Sequence, residues 1–173
     1  LAELVVAAAG AKVDARAAKA ALSQAHSVDV ALFGRMVADD ANLNVDAACQ
    51  VAHALSTHAV ATEFDYYTAV DDKNPAEETG AGMIGTIEFD SATLYRYATV
   101  SVDSLRKNLG DDTATARAIE AFVRSFVTSM PTGKQNTFAN RTAPDAVVVM
   151  AREGRPVNLV GAFEDAVRGT DGY

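Results

Sequence analysis

YYTAVDDKNPAEETGAGMIGTIEF, residues 66–89, consists of two apolar arms around a polar middle. The arms carry Tyr66, Tyr67, Val70, Met83, Ile84, Ile87 and Phe89, residue types that fit a pleated surface. The middle carries Asp71, Asp72, Glu77, Glu78, Pro75, Gly80 and Gly82, a composition that interrupts regular structure. A long β-hairpin with an oversized tip is predicted. Its arms extend through HAVATEFDYYTAV (58–70) and IGTIEFDSATLYRYATVSV (84–102). The residues allow a reaching arm rather than a lid over a catalytic pocket.

On the N-terminal side, residues 1–23 are Ala-rich and predict two helices broken near Gly10. SVDVALFGRMV (27–37) alternates Val28, Val30 and Leu32 with Asp29 and Ala31 and is read as a half-buried strand. A polar turn follows at 39–44. Asn44 is placed to cap a helix that buries Ala48, Val51, Ala52 and Leu55. Beyond the hairpin, a short helix from Asp103 stops at Gly110. Ile119, Phe122, Val123, Phe126, Val127 and Met130 then form one helical stripe. Asp111 and Asp112 favour its N-terminus through the helix dipole. PDAVVVMARE (144–153) reads as an apolar strand, and a last helix begins near Pro156. Helices mixed with an antiparallel hairpin predict an α+β sandwich of the ferredoxin-like kind.

The 173 residues are 49% hydrophobic, enough for one sizeable core. No apolar run approaches the ~18 residues of a membrane helix. Net charge is −8, which argues against a free-standing nucleic-acid binder with a basic face. Local clusters nevertheless outweigh totals. The single cysteine, Cys49, excludes an internal disulfide and fits a reducing cytoplasm; its Ala and Val neighbours predict a small buried residue. LAELVVAAAGA enters a helix without an initiator Met or a cap, so the chain is expected to be a fragment.

Candidate chemistry is sparse. PTGKQ (131–135) lacks the first glycine and the hydroxyl of a phosphate loop. GKQNTFANR (133–141) offers Lys134 and Arg141 with the amides of Gln135, Asn136 and Asn140, a set suited to a sugar–phosphate backbone or to ordinary solvated connection. Asp71 and Asp72 are adjacent, and neighbours in an extended chain face opposite ways, so they pair poorly as metal or acid–base groups. His53 and His58 are five apart and predict packing or hydrogen bonds rather than metal ligation. No serine sits in a nucleophile elbow. Arg35 can hold a phosphate, Met36 can wedge against a base, and Tyr66 and Tyr67 can stack on bases; core filling and hairpin packing are the plain alternatives.

VDVALFGRM (28–36), QVAHALSTH (50–58), DYYTAVDD (65–72), GTIEF (85–89) with LYRYA (94–98), GKQNTFA (133–139) and VGAFEDAVRG (160–169) occur in an order and spacing that resembles the CasC family, the backbone subunits of the type I-E CRISPR surveillance complex Cascade. The resemblance runs from about Ala21 to the end. It implies a hand-shaped protein with an RNA-recognition-motif-like, ferredoxin-like palm, helical fingers and a hairpin thumb. The implied divisions are a finger remnant at 1–26, palm at 27–63 and 98–173, and thumb at 64–97. The family's N-terminal part, with a palm strand and a basic stretch, and its C-terminal tail are expected to be absent.

The resemblance further implies a non-enzymatic subunit without cofactor or metal, and no membrane contact. Its partners are then the CRISPR guide RNA, target DNA reached through the guide, other copies of itself, and other Cascade subunits. Copies line up along the guide, and each thumb kinks out a base. Met36 and Tyr67 match the wedge positions, with Tyr67 standing where Phe is familiar. Ile84 matches a bulky aliphatic on the returning strand. Lys134, Gln135 and Asn136 match a loop beside the RNA backbone, and Arg35 is a further contact. Two rival readings remain: a metal-dependent endoribonuclease using Asp71 or Asp72, and a protein-only module whose hairpin pairs with a sheet edge.

Overall fold

The computed structural model describes residues 6, 10, 12–24, 26–70, 72–73 and 81–165. The chain divides into two compact units. One comprises Leu1–Val51 with Ala98–Pro156, the other Ala52–Tyr97 with Val157–Tyr173. Together they hold helices and small antiparallel sheets, an α+β architecture.

In the first unit the elements are α1 (Ala15–Gln24), α2 (Val28–Phe33), β1 (Cys49–Val51), β6 (Ala98–Val100), α3 (Val102–Leu109), α4 (Asp112–Thr128) and α5 (Gln135–Phe138). The two most regular helices have complete end signals. Ser101 caps α3 by accepting from Ser104 N–H, and Gly110 closes it in the left-handed region at φ 71°. Asp111 caps α4 by accepting from Ala114 N–H at 2.5 Å. One face of α4 then turns inward, with Thr115 and Ala118 buried and Ile119 and Phe122 packed on the core.

That core is small and built mostly from short side chains, Ala31, Ala48, Cys49 and Ala118, together with Leu32 and Leu105. Leu105 is its one large, fully buried member, at 0% exposure. Removing a leucine side chain from water contributes roughly 1.5–3 kcal/mol. Cys49 is an interior thiol, and burial pushes its pKa up. β1 and β6 pair antiparallel, with Cys49 opposite Val100. Asn108 binds two backbone turns together, its amide donating to the Ala31 and Asp46 carbonyls at 3.0 and 2.9 Å.

Four local expectations give way to the structure. Val28–Phe33 is helical, not a strand. Ala31 and Leu32 are consecutive and both buried, which the expected half-buried strand cannot provide but one side of a helix can. Residues 45–55 do not form the helix expected after Asn44. β1 and the two-residue β2 (Leu55–Ser56) stand there instead, and Val51 and Leu55 are exposed. Asn44 turns backward, its Oδ1 accepting from Val37 N–H at 2.6 Å. Finally, 144–153 has no strand, and of the expected last helix the described residues hold a 3-10 turn at Val160–Phe163. Most of the expected helix before Gly10 and the tail from residue 166 lie outside the described residues.

The second unit is dominated by the hairpin of β3 (Glu63–Val70) and β4 (Ala81–Phe89). At its base β2 pairs with β5 (Leu94–Tyr95). His58 fastens that base: its Nε2 accepts from Thr93 N–H at 3.0 Å, while Nδ1 lies 2.9 Å from the Ala59 carbonyl. This is the hydrogen-bonding role expected for a histidine outside a metal cluster. Tyr95 draws in the C-terminal segment. Its hydroxyl donates to Asn158 Oδ1 and accepts from Leu159 N–H, and its ring lies 5.1 Å from that of Phe163. No helix among the described residues is long and apolar enough to cross a membrane.

Candidate nucleic-acid interface

The GRM segment, 34–36, is held rigidly by its neighbours. Gly34 has φ 80° and ψ 176°, a region essentially reserved for glycine. It sits so close to the next strand-like segment that an added Cβ would fall 2.7 Å from the Val45 carbonyl oxygen. Arg35 pairs with Val45 through two backbone hydrogen bonds of 2.9 Å. Its guanidinium also donates to the carbonyls of Leu43 and Leu22, at 2.8 and 3.2 Å. Arg35 is therefore a clasp between α1, the 3-10 turn at Ala41–Leu43 and the bridge. Met36 follows directly and is 86% exposed, an apolar side chain presented to solvent from a fixed backbone.

Lys134, Gln135 and Asn136 open α5. Lys134 caps this single turn in the left-handed region at φ 56°, and Ala139 closes it at φ 48°. Left-handed backbone costs a non-glycine residue about 1–2 kcal/mol, so these two residues flanking one short turn mark it as locally strained. The Gln135 side-chain oxygen accepts from Arg141 at 2.7 Å, which engages the two with each other. Lys134 and Asn136 are exposed. Elsewhere in this unit several cations are paired: Lys19 on Asp40 at 2.5 Å, Arg106 on Asp103 and Asp112, and Arg124 on Glu120. The bond from Lys19 holds the Asp40 carboxyl below the usual carboxylate range. By sign, that contribution to stability is present at neutral pH and lost on acidification.

In the hairpin the register separates the two expected residues. Tyr67 opposes Gly85, and Ile84 opposes Thr68. Opposed residues share a face and successive residues alternate, so Tyr67 and Ile84 lie on opposite sides of the ribbon. The Tyr67 ring lies over Gly85, where a Cβ would meet its hydroxyl oxygen at 2.5 Å. Ile84 is 61% exposed, and Phe64 and Tyr66 on its side are 66% and 64% exposed. Residue types alone do not single out Phe64. The alternation of EFDYY (63–67) is the signal that could have found it, since it places Phe64 with Tyr66 and sets both against Asp65.

The seven expected residues thus fall into two groups. Arg35, Met36, Lys134, Gln135 and Asn136 belong to the first unit, Tyr67 and Ile84 to the second. Of the acidic pair, Asp72 is exposed and Asp71 lies outside the described residues. Among the described residues no group of three or more His, Cys, Asp or Glu could hold a metal ion.

A family model described as CT1975-like protein matches residues 2–173. No curated protein matches the chain. Among solved structures, a chain of a "CRISPR RNA-guided surveillance complex, pre-nicking" is 38% identical with a TM-score of 0.78, over 99% of this chain and 48% of that one. A chain of a "CRISPR RNA-guided surveillance complex" is 40% identical with a TM-score of 0.70, over 91% of this chain and 60% of that one. The present chain spans about half to three-fifths of the length of these relatives. The chain belongs to the CT1975-like protein family.

Proposed function

We propose that the protein is a backbone subunit of a Cascade-type, type I-E surveillance complex, gripping a CRISPR guide RNA so that the guide can pair with target DNA. The observation that carries this reading is the 38% identity, across 99% of the chain, with a chain of an RNA-guided surveillance complex. On this reading the palm is RNA-recognition-motif-like and comprises 27–63 and 98–173. Residues 1–26 are the remnant of the fingers, and 64–97 are the thumb. Copies associate along the guide in the cytoplasm, together with other Cascade subunits. Specificity resides in base pairing, while the protein holds backbone and shape.

Arg35, Met36, Tyr67, Ile84, Lys134, Gln135 and Asn136 make up the proposed RNA-facing set. Met36 serves as an apolar wedge, in keeping with its exposure and its rigid support from Gly34 and Arg35. Tyr67 and Ile84 act from the two sides of the thumb, as their register requires. Lys134 supplies charge and Asn136 hydrogen bonds to the sugar–phosphate chain, with Gln135 steadied by Arg141. The subunit is read as non-catalytic: a precise site needs rigid support, and Asp72 stands on an exposed turn. Complementary RNA incubated with the assembled complex and magnesium should stay intact. Regularly spaced fragments that disappear in Asp71→Ala or Asp72→Ala would overturn the non-catalytic reading.

Lys134 gives the direct test of RNA gripping. Replacing it with alanine in the full-length protein should weaken guide binding without changing sequence preference. The slope of log affinity against log salt should fall by about 0.7–1 per copy. An unchanged slope would return the 133–141 loop to an ordinary solvated connection.

A further inference from the structure

By residue type Arg35 is a phosphate contact, yet its guanidinium is already committed inside the protein. Nε donates to the Leu43 carbonyl at 2.8 Å and Nη2 to the Leu22 carbonyl at 3.2 Å, both bonds partly buried. These two nitrogens form an edge with which a guanidinium grips an oxyanion in bidentate fashion, and here two backbone carbonyls occupy it. Leu22 lies in the last turn of α1, where carbonyls have no partner within the helix and the helix dipole favours a cation. Leu43 ends the 3-10 turn whose capping residue, Asp40, is paired with Lys19 of α1. The end of α1 and the 3-10 turn are thus stapled together by Arg35 and by Lys19.

The backbone on both sides of Met36 is pinned as well. Arg35 exchanges two backbone bonds with Val45, and Val37 N–H donates to Asn44 Oδ1. Arg35 and Val37 are half-buried and Met36 between them is exposed, the alternation of an extended backbone. An arginine that turns inward therefore sets which way the next side chain turns outward. We propose that Arg35 is a positioning residue: it does not bind guide phosphate but ties the end of α1 to the direction of Met36. Its role rests on the RNA-binding reading, in which Met36 is the wedge.

Lysine keeps the charge of Arg35 but lacks the planar fork, so it separates charge from geometry. The test titrates guide RNA against the full-length protein at several salt concentrations, in a cycle of Arg35→Lys, Met36→Ala and the double variant. Met36→Ala should weaken binding in the parent and add nothing in Arg35→Lys, a non-additivity of about 2- to 150-fold for groups that act together. Arg35→Gln, which removes the charge, should lose affinity as Arg35→Lys does and keep the parental salt slope. A phosphate contact predicts the reverse: parental affinity in Arg35→Lys, and a slope lower by about 0.7–1 in Arg35→Gln. Either result would overturn the inference. Equal effects of Met36→Ala in the two backgrounds would also overturn it, leaving Arg35 a stabiliser of the fold alone. Should the Arg35 variants fail to fold, arginine labelling of the parent decides. Arg35 should resist phenylglyoxal equally before and after nuclease removes the guide, and reactivity gained on removal would contradict the proposal. A parent protein that binds no guide would sink both this role and the RNA-binding reading, and the parent titration shows that separately.

Discussion

Gly34→Val is expected to destabilise the protein by about 3 kcal/mol, the upper end of the range for backbone strain. At φ 80° and ψ 176° a β-branched residue has no comfortable conformation. The new Cβ would also meet backbone, not a movable side chain: the Val45 carbonyl oxygen at 2.7 Å and the Ala47 nitrogen at 3.0 Å. Separating those segments would break the paired hydrogen bonds between Arg35 and Val45 and the bond from Ala48 N–H to the Leu32 carbonyl. For a chain of this size ~1 kcal/mol corresponds to about 2–4 °C in melting temperature, so thermal unfolding should move down by about 6–12 °C. Function should suffer with it, because the same bridge fixes the backbone that presents Met36. A melting temperature within about 2 °C of the parent, less than ~1 kcal/mol of destabilisation, would show that the segment around Gly34 relaxes freely.

Leu105→Ala should cost about 3–5 kcal/mol, within the range for buried leucines. Its neighbours explain why the upper part applies. Ala31, Ala48, Cys49 and Ala118 are short, and Ala31 and Ala118 belong to α2 and α4. None of these short side chains can swing into the space, so closing it falls to the partly buried Val100, Leu109, Ile119 and Phe122 or to movement of the helices. Leu105→Met, which conserves volume, should cost less than about 1.5 kcal/mol. Urea unfolding of both variants checks the contrast. Losses below about 1.5 kcal/mol in both variants would mean that the core around Leu105 is plastic rather than close-packed.

The parts of the fold legible in the sequence are those governed by local chemistry. α3 and α4 are readable because their ends carry recognisable caps, Gly110 and Asp111, and because the apolar stripe of α4 repeats over several turns. The hairpin is readable because aromatic and β-branched arms flank a polar tip. The misread segments depend on partners far away in sequence. Residues 48–55 have helical spacing and abundant alanine, yet Cys49 pairs with Val100 and Leu55 with Tyr95. These distant pairings override weak local propensity. In Val28–Phe33 the apolar residues satisfy both periods over six positions. The helical hydrogen bonds from Ala31 N–H to the Ser27 carbonyl and from Gly34 N–H to the Val30 carbonyl, with the joint burial of Ala31 and Leu32, distinguish them.

The candidate interface divides in the same way. Residue types tell where wedges and cations could be, and Met36 and Lys134 are both exposed. Geometry supplies what residue types cannot. Arg35 is engaged with two backbone carbonyls, and Tyr67 and Ile84 stand on opposite sides of the ribbon. Facing depends on register, and the pairing of Tyr67 with Gly85 sets that register.

Whether this chain grips a guide RNA is decided by purifying the full-length protein from its own cells. We expect an assembly of several copies with partner subunits, an absorbance ratio dominated by nucleic acid, and one small RNA of uniform length containing CRISPR repeat sequence. A nucleic-acid-free assembly held together by protein contacts alone would be incompatible with the RNA-gripping role.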